Sequence, residues 1–151
     1  MSNASYEQLR ETYKGLPGFK ELVKLFEVEL AGDNHVFYEI RHEIMERVNN
    51  HINAISSLLL PENALSELYE SNSLTEEDKT FLLEFFRKLK YFQRKSLALD
   101  LEFNEKAEAE FIREFYNFWQ DNLKELRRVY EFLAECWKKD WETPRFFEYL
   151  G

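Results

Sequence analysis

Glycine and proline are almost absent from most of this chain. The 118 residues between Gly32 and Gly151 contain no glycine and only two prolines, Pro61 and Pro144. Tight turns depend on such residues, and β-sandwiches, Rossmann folds and other loop-rich folds need many of them. Helices joined by few turns meet this constraint best. We therefore predict an all-α fold, an antiparallel helical bundle of about four main helices plus short capping helices.

The spacing of the apolar residues places these helices. Apolar side chains recur at intervals of three and four, which predicts main helices over about 17–30, 35–60, 76–100 and 105–140 and short helices over Tyr6–Lys14 and 62–70. Pro17 is expected at the first helical position, and Ser71–Ser73 as a loop. Thr75 and Asp78 have the spacing of a capping box. Residues 1–151 fit a single domain.

The stretch Glu76–Asp140 contains neither glycine nor proline, and yet it must turn. As one helix it would be ~98 Å long at 1.5 Å per residue, whereas a compact domain of this size has a radius of gyration of ~15 Å. The row of apolar residues that ends at Phe103 is out of register with the row that begins at Ile112. We therefore predict a turn near Asp100–Asn104, with Asn104 as the N-cap of the last helix.

Three polar residues lie on or beside these apolar rows: Ser96, Asn122 and His51. A buried polar group without a partner costs ~1–3 kcal/mol. We expect Ser96 and Asn122 to fix the helix register through hydrogen bonds to other polar core groups. His51 is expected to be a partly buried, hydrogen-bonded core residue.

The segment from Glu39 to Glu46 carries the most suggestive pattern for chemistry. Glu39 and His42 have the Glu-x-x-His spacing that di-iron bundles use to aim two ligands in one direction. Glu43 and Glu46 lie on the same side, but the apolar face is centred about 160° away from Glu39. We therefore expect these side chains to face solvent, and we predict no catalytic residue, cofactor or metal site. The alternative is a metal-dependent enzyme or metal-binding bundle that uses Glu39, His42, Glu43 and Glu46.

A second polar pattern lies on the 76–100 helix, where five basic residues occupy nine positions: Arg87, Lys88, Lys90, Arg94 and Lys95. Tyr91 lies among them, and basic residues beside an exposed aromatic ring can bind single-stranded nucleic acid. The net charge of −9 opposes a phosphate backbone. We therefore do not expect nucleic acid as the partner. The alternative is a nucleic-acid-associated subunit that uses this basic face of the 76–100 helix.

Aromatic residues are abundant, with 14 Phe, 8 Tyr and 3 Trp. The 105–140 helix is apolar over more than half of its circumference, so it needs cover on several sides. We expect aromatic surface near Tyr130, Trp137 and Trp141 to meet a protein partner or a second copy in a homodimer. The tail 144–149 competes for the same surface. Because no catalytic motif is visible, a non-enzymatic interaction module or subunit is the favoured function.

The single cysteine bears on the compartment. Cys136 is the only cysteine, so it cannot form an intramolecular disulfide, and a chain without disulfides is typical of a reducing compartment. The residues after Met1 lack the basic and apolar stretches of a secretory signal. The longest purely apolar run, Leu58–Leu60, is too short to span a membrane. We therefore expect a cytoplasmic protein without a membrane segment.

Overall fold

The computed structural model describes residues 2–30, 35–62 and 64–139, of which 83% are helical. This part of the chain holds no strand, and the predicted all-α helical bundle is confirmed. None of its helices combines the length and the apolarity needed to cross a membrane. The helices are α1 (Ser2–Thr12), α2 (Phe19–Phe26), α3 (Val36–Leu59), α4 (Leu65–Ser73), α5 (Glu76–Leu99) and α6 (Glu105–Lys139).

The predicted turn between the last two helices, α5 and α6, is confirmed. Helix α5 ends at Leu99 and α6 begins at Glu105. The Oδ1 atom of Asn104 accepts a hydrogen bond from the backbone N–H of Ala107 at 3.1 Å, so Asn104 caps α6 as predicted. At the start of α5, Thr75 Oγ1 accepts from the backbone N–H of Asp78 at 3.1 Å. The change of apolar register and the capping residues therefore located both helix starts.

The predicted helix over 17–30 is wrong at both ends. Helix α2 spans only Phe19–Phe26, with Gly18 as its N-cap residue. Pro17 lies outside the helix, and its carbonyl oxygen accepts a hydrogen bond from the Tyr6 hydroxyl at 2.6 Å. Glu27 ends the helix because its backbone is left-handed, with φ of 51°. Apolar spacing alone cannot show such a local change of backbone conformation.

Two further boundaries differ from the prediction. Helix α1 covers Ser2–Thr12 rather than Tyr6–Lys14. Helix α4 covers Leu65–Ser73 rather than 62–70, so Ser71–Ser73 is helical and not a loop. The Asn72 side-chain amide donates to the Leu68 carbonyl, and the Ser73 hydroxyl donates to the Tyr69 carbonyl. These bonds to the residue four positions earlier are compatible with helical geometry, so polar residues that often form turns here remain helical.

The chain groups into two compact units, one from residues 1–50 with 90–120 and one from 51–89 with 121–151. Helices α3, α5 and α6 contribute residues to both, and the single domain remains a prediction. The core of the first unit includes Leu22, Phe26, Phe37, Ile40, Ile44, Phe92, Ile112 and Phe115. The core of the second unit includes Ile52, Ile55, Tyr69, Leu82, Phe85, Leu89, Leu126 and Val129.

Phe115 is the centre of the aromatic core in the first unit. Its ring centroid lies 5.6 Å from Phe26 of α2 and 5.0 Å from Phe92 of α5. Trp119, one turn further along α6, lies 5.8 Å from both Phe26 and Phe115. Aromatic pairs at these distances add stability beyond the area that they bury. In this unit α6 therefore packs its apolar side against two different helices.

Replacing Asn104 tests the capping of α6. We expect Asn104→Ala to lower the free energy of unfolding by about 1 kcal/mol, because the Ala107 amide loses its acceptor. Asn53→Ala, at an exposed position inside α3, is the matched control and should change stability by less than ~0.5 kcal/mol. Urea unfolding followed by circular dichroism measures both. Equal losses in the two variants would contradict the capping role.

Candidate functional site

A buried arginine defines the polar centre of the first unit. Arg41 of α3 is 0% exposed, and so is Glu108 of α6. The guanidinium donates from Nε to Glu108 Oε2 at 2.6 Å and from Nη2 to Glu108 Oε1 at 2.9 Å. Such a bidentate pair is strong and holds both side chains in one geometry.

The remaining donors of Arg41 reach the end of α5. Nη1 donates to the backbone carbonyl of Ser96 at 2.8 Å and to the Ser96 hydroxyl at 2.5 Å. Nη2 also donates to Asp100 Oδ1 at 2.8 Å. All five N–H donors of the guanidinium therefore have acceptors, and one side chain joins α3 to the end of α5 and the start of α6.

The network reaches the surface through Asp100 and His42. Asp100 Oδ1 lies 2.9 Å from His42 Nε2, and the two side chains are 31% and 46% exposed. The Tyr38 ring lies 4.2 Å from the His42 ring and 5.3 Å from the Arg41 guanidinium carbon. Partial burial raises the pKa of Asp100, but hydrogen bonds from His42 and Arg41 outweigh this effect and lower it overall. The surface edge of the network therefore keeps an ionised carboxylate beside a histidine.

The four residues of the metal hypothesis are spread over surface and partly buried positions. His42 and Glu46 are exposed, whereas Glu39 and Glu43 are half-buried. Across 2–30, 35–62 and 64–139, no three or more His, Cys, Asp or Glu side chains come together in a group that could hold a metal ion. The close partner of His42 is Asp100, a contact that the sequence analysis did not include.

Sequence reasoning missed Arg41 and Glu108, although both gave a signal. Arg41 lies about 40° from the centre of the apolar face of α3, at 100° per residue. Glu108 precedes Ile112 by four residues and so extends the apolar row of α6. Ser96 was identified, is buried, and bonds to a polar core group as predicted. Asn122 is half-buried.

The basic side of α5 faces solvent for the most part. Arg87, Lys88, Arg94 and Lys95 are exposed, while Lys90 is half-buried and donates to Gln93 Oε1 at 3.0 Å. The Tyr91 ring is 52% exposed. These side chains occupy the surface positions that the sequence indicated.

Exposed apolar side chains concentrate around the α5–α6 turn. Leu97, Leu101 and Phe103 are 54%, 89% and 49% exposed, and together they are called the turn surface below. The Phe103 ring lies 4.8 Å from the His35 ring at the start of α3. Single exposed apolar side chains are common on protein surfaces, whereas a group of them near one turn can mark an interaction site.

The aromatic surface predicted near the end of α6 is covered in part. Tyr130 and Trp137 are half-buried. Trp137 packs 4.6 Å from Tyr69, and its indole N–H donates to Glu70 Oε2 at 3.1 Å. Helix α4 therefore supplies cover that the sequence analysis did not assign to it. Trp141 and the tail 144–149 lie outside the described residues.

His51 occupies a partly buried position in the second unit, as predicted. Its ring is stacked on Tyr130 at 5.7 Å, and Nδ1 lies 2.9 Å from the Tyr130 hydroxyl oxygen. Burial lowers the pKa of His51 and raises the pKa of Tyr130 to about 12. Both side chains are therefore neutral near pH 7, as their burial requires.

Comparisons of the chain with protein-family models, curated proteins and solved structures gave no match. Its function has to be inferred from the residues themselves.

Breaking the buried ion pair tests the polar centre. We expect Arg41→Met to lower the free energy of unfolding by about 3–5 kcal/mol, because Glu108 is left buried and unpaired. The double variant Arg41→Met/Glu108→Leu should lose less than Arg41→Met alone. Arg47→Met removes an exposed pair with Glu27 and should cost less than ~1 kcal/mol. A double variant less stable than Arg41→Met would contradict the argument.

The burial of His51 predicts a pH dependence. Because the folded-state pKa is lowered, the unfolded chain binds the proton more readily, and stability falls as the pH drops through the unfolded value of about 6.5. We expect His51→Gln to reduce the loss of stability between about pH 7.5 and about pH 5.5 in urea unfolding. His35→Gln, at an exposed site, should leave it unchanged. An unchanged slope in His51→Gln would show that this histidine is not the titrating group.

Proposed function

We propose that this chain is a non-enzymatic protein–protein interaction module of the cytoplasm and that its turn surface binds the partner. The observation that carries the proposal is Leu101, which is 89% exposed on a turn held by the Arg41 network. Exposed apolar side chains on a fixed backbone are typical of binding surfaces. Cys136, the single cysteine of the chain, is buried and forms no disulfide within it, which supports a reducing compartment.

The turn that carries Leu101 is held by several hydrogen bonds. The backbone N–H of Asp100 donates to the Ser96 carbonyl at 3.1 Å, and that of Leu101 donates to the Ala98 carbonyl at 3.2 Å. Arg41 holds the Asp100 side chain, and Asn104 caps the next helix. A surface that is ordered before binding loses little conformational entropy when the partner arrives.

Polar groups border the turn surface. Tyr38, His42 and Asp100 form the solvent-facing edge of the Arg41 network, and Glu102 is exposed beside Leu101. An apolar centre with a polar rim is the usual composition of a protein interface. The two carboxylates favour a partner that brings basic groups to this rim.

Replacing Leu101 tests the proposal in cells of the source organism. In affinity purification from these cells, we expect the intact chain to bind one defined partner protein at constant stoichiometry. Leu101→Asp should weaken the affinity for that partner at least about tenfold, because a charge replaces an apolar side chain that is desolvated on binding. Leu60→Asp is the matched control, since Leu60 is 79% exposed away from the turn surface in sequence. Affinities of the purified partner for all three chains give the measurement.

Several outcomes decide between this proposal and its alternatives. Equal affinities for Leu101→Asp and the intact chain would contradict binding at the turn surface. Sedimentation of the pure chain shows whether the partner is a second copy. Metal analysis and the ultraviolet absorbance ratio of the same sample test the metal-binding and nucleic-acid hypotheses.

A further inference from the structure

A second candidate site lies in the other unit, between α3, α4 and α6. A cavity of about 420 Å³ opens there, and we call it the α4–α6 cavity. Leu58 and Leu133, both buried, form part of its apolar lining. Its other lining residues are Ala54, Ser57, Glu67, Glu70, Tyr130, Ala134 and Trp137.

The two aromatic side chains that line the cavity, Tyr130 and Trp137, are held in place by ring contacts and polar contacts. Tyr130 is fixed by His51, which stacks on its ring and lies within hydrogen-bond distance of its hydroxyl. Trp137 is fixed by Tyr69 and by the hydrogen bond from its indole N–H to Glu70. Aromatic faces attract cations through their quadrupole, and tryptophan does so most strongly.

The carboxylates of Glu67 and Glu70 supply negative charge to the cavity, and no described lining residue is a Lys or Arg. Glu67 Oε2 accepts the backbone N–H of Glu62 at 2.8 Å, and Glu70 Oε2 accepts the Trp137 indole N–H at 3.1 Å. Within the described part of the chain, neither Oε1 atom accepts a hydrogen bond. Two carboxylate side chains and two aromatic side chains therefore line the same cavity.

We propose that the α4–α6 cavity binds a primary alkylammonium ion. The charged head would donate N–H bonds to the Oε1 atoms of Glu67 and Glu70 beside the aromatic faces. The alkyl chain would contact the apolar lining at Leu58 and Leu133. The described residues bring no three His, Cys, Asp or Glu side chains together as a metal site here, and a quaternary ammonium has no N–H to donate. The proposal does not depend on the turn surface.

Titration of the full chain with n-butylammonium chloride tests this proposal. The indole N–H resonance of Trp137, assigned with Trp137→Phe, should shift in a saturable way, and 1-butanol should not reproduce the shift. Glu67→Gln should weaken binding about tenfold, as expected when a charge-assisted hydrogen bond is lost. Glu84→Gln removes the same charge from an exposed site of α5 and should alter the affinity less than twofold. Tyr130→Leu should also weaken binding.

Three results would overturn the proposal. The first is an equal shift with 1-butanol, which would indicate apolar binding alone. The second is unchanged affinity in both Glu67→Gln and Tyr130→Leu, provided that thermal unfolding shows both variants to be folded. The third is a shift that grows linearly with the n-butylammonium concentration and does not saturate, which would indicate that no defined site exists.

Discussion

The buried guanidinium of Arg41 is the constraint on which the first unit depends. A charge without access to water is stable only when it is paired and all of its donors are satisfied. Glu108 and Asp100 supply the charges, and Ser96 supplies the two remaining acceptors. Each acceptor lies on α5, on α6 or at the turn between them. The pairing therefore specifies how these segments meet α3. Apolar residues in place of the ion pair could give a similar free energy of unfolding, but they would not specify these contacts.

This specification has a consequence at the surface. The α5–α6 turn is tied to α3, because Asp100 Oδ1 lies within hydrogen-bond distance of both Arg41 and His42. The next residue, Leu101, is left in water by the same geometry. The same turn therefore pairs Asp100 with the buried Arg41 guanidinium and leaves the Leu101 side chain exposed. A partner that covers Leu101 would meet a surface already in its bound form.

The sequence was sufficient where local rules decide the structure, and insufficient where a distant partner or a single backbone angle decides it. Register change and capping chemistry located the turn at Asp100–Asn104 because both signals are contained in neighbouring residues. The pairing of Arg41 with Glu108 joins residues 67 positions apart, so the sequence could show polar residues on apolar rows but not which of them meet. The left-handed backbone of Glu27, which ends α2, does not change the spacing of the apolar residues and so could not be predicted from it.

The polar groups of the described core differ in their surroundings from the carboxylates of the α4–α6 cavity, which are half-buried. Among the described residues, no buried side-chain nitrogen or oxygen atom lacks a hydrogen-bond partner. Tyr6 bonds to a backbone carbonyl, and Tyr69 donates to the Cys136 carbonyl at 3.0 Å. The carboxylates of Glu67 and Glu70 are half-buried, so water can reach them and this requirement is relaxed. Two half-buried carboxylates that line one cavity with Tyr130 and Trp137 are therefore the basis of the proposed alkylammonium site.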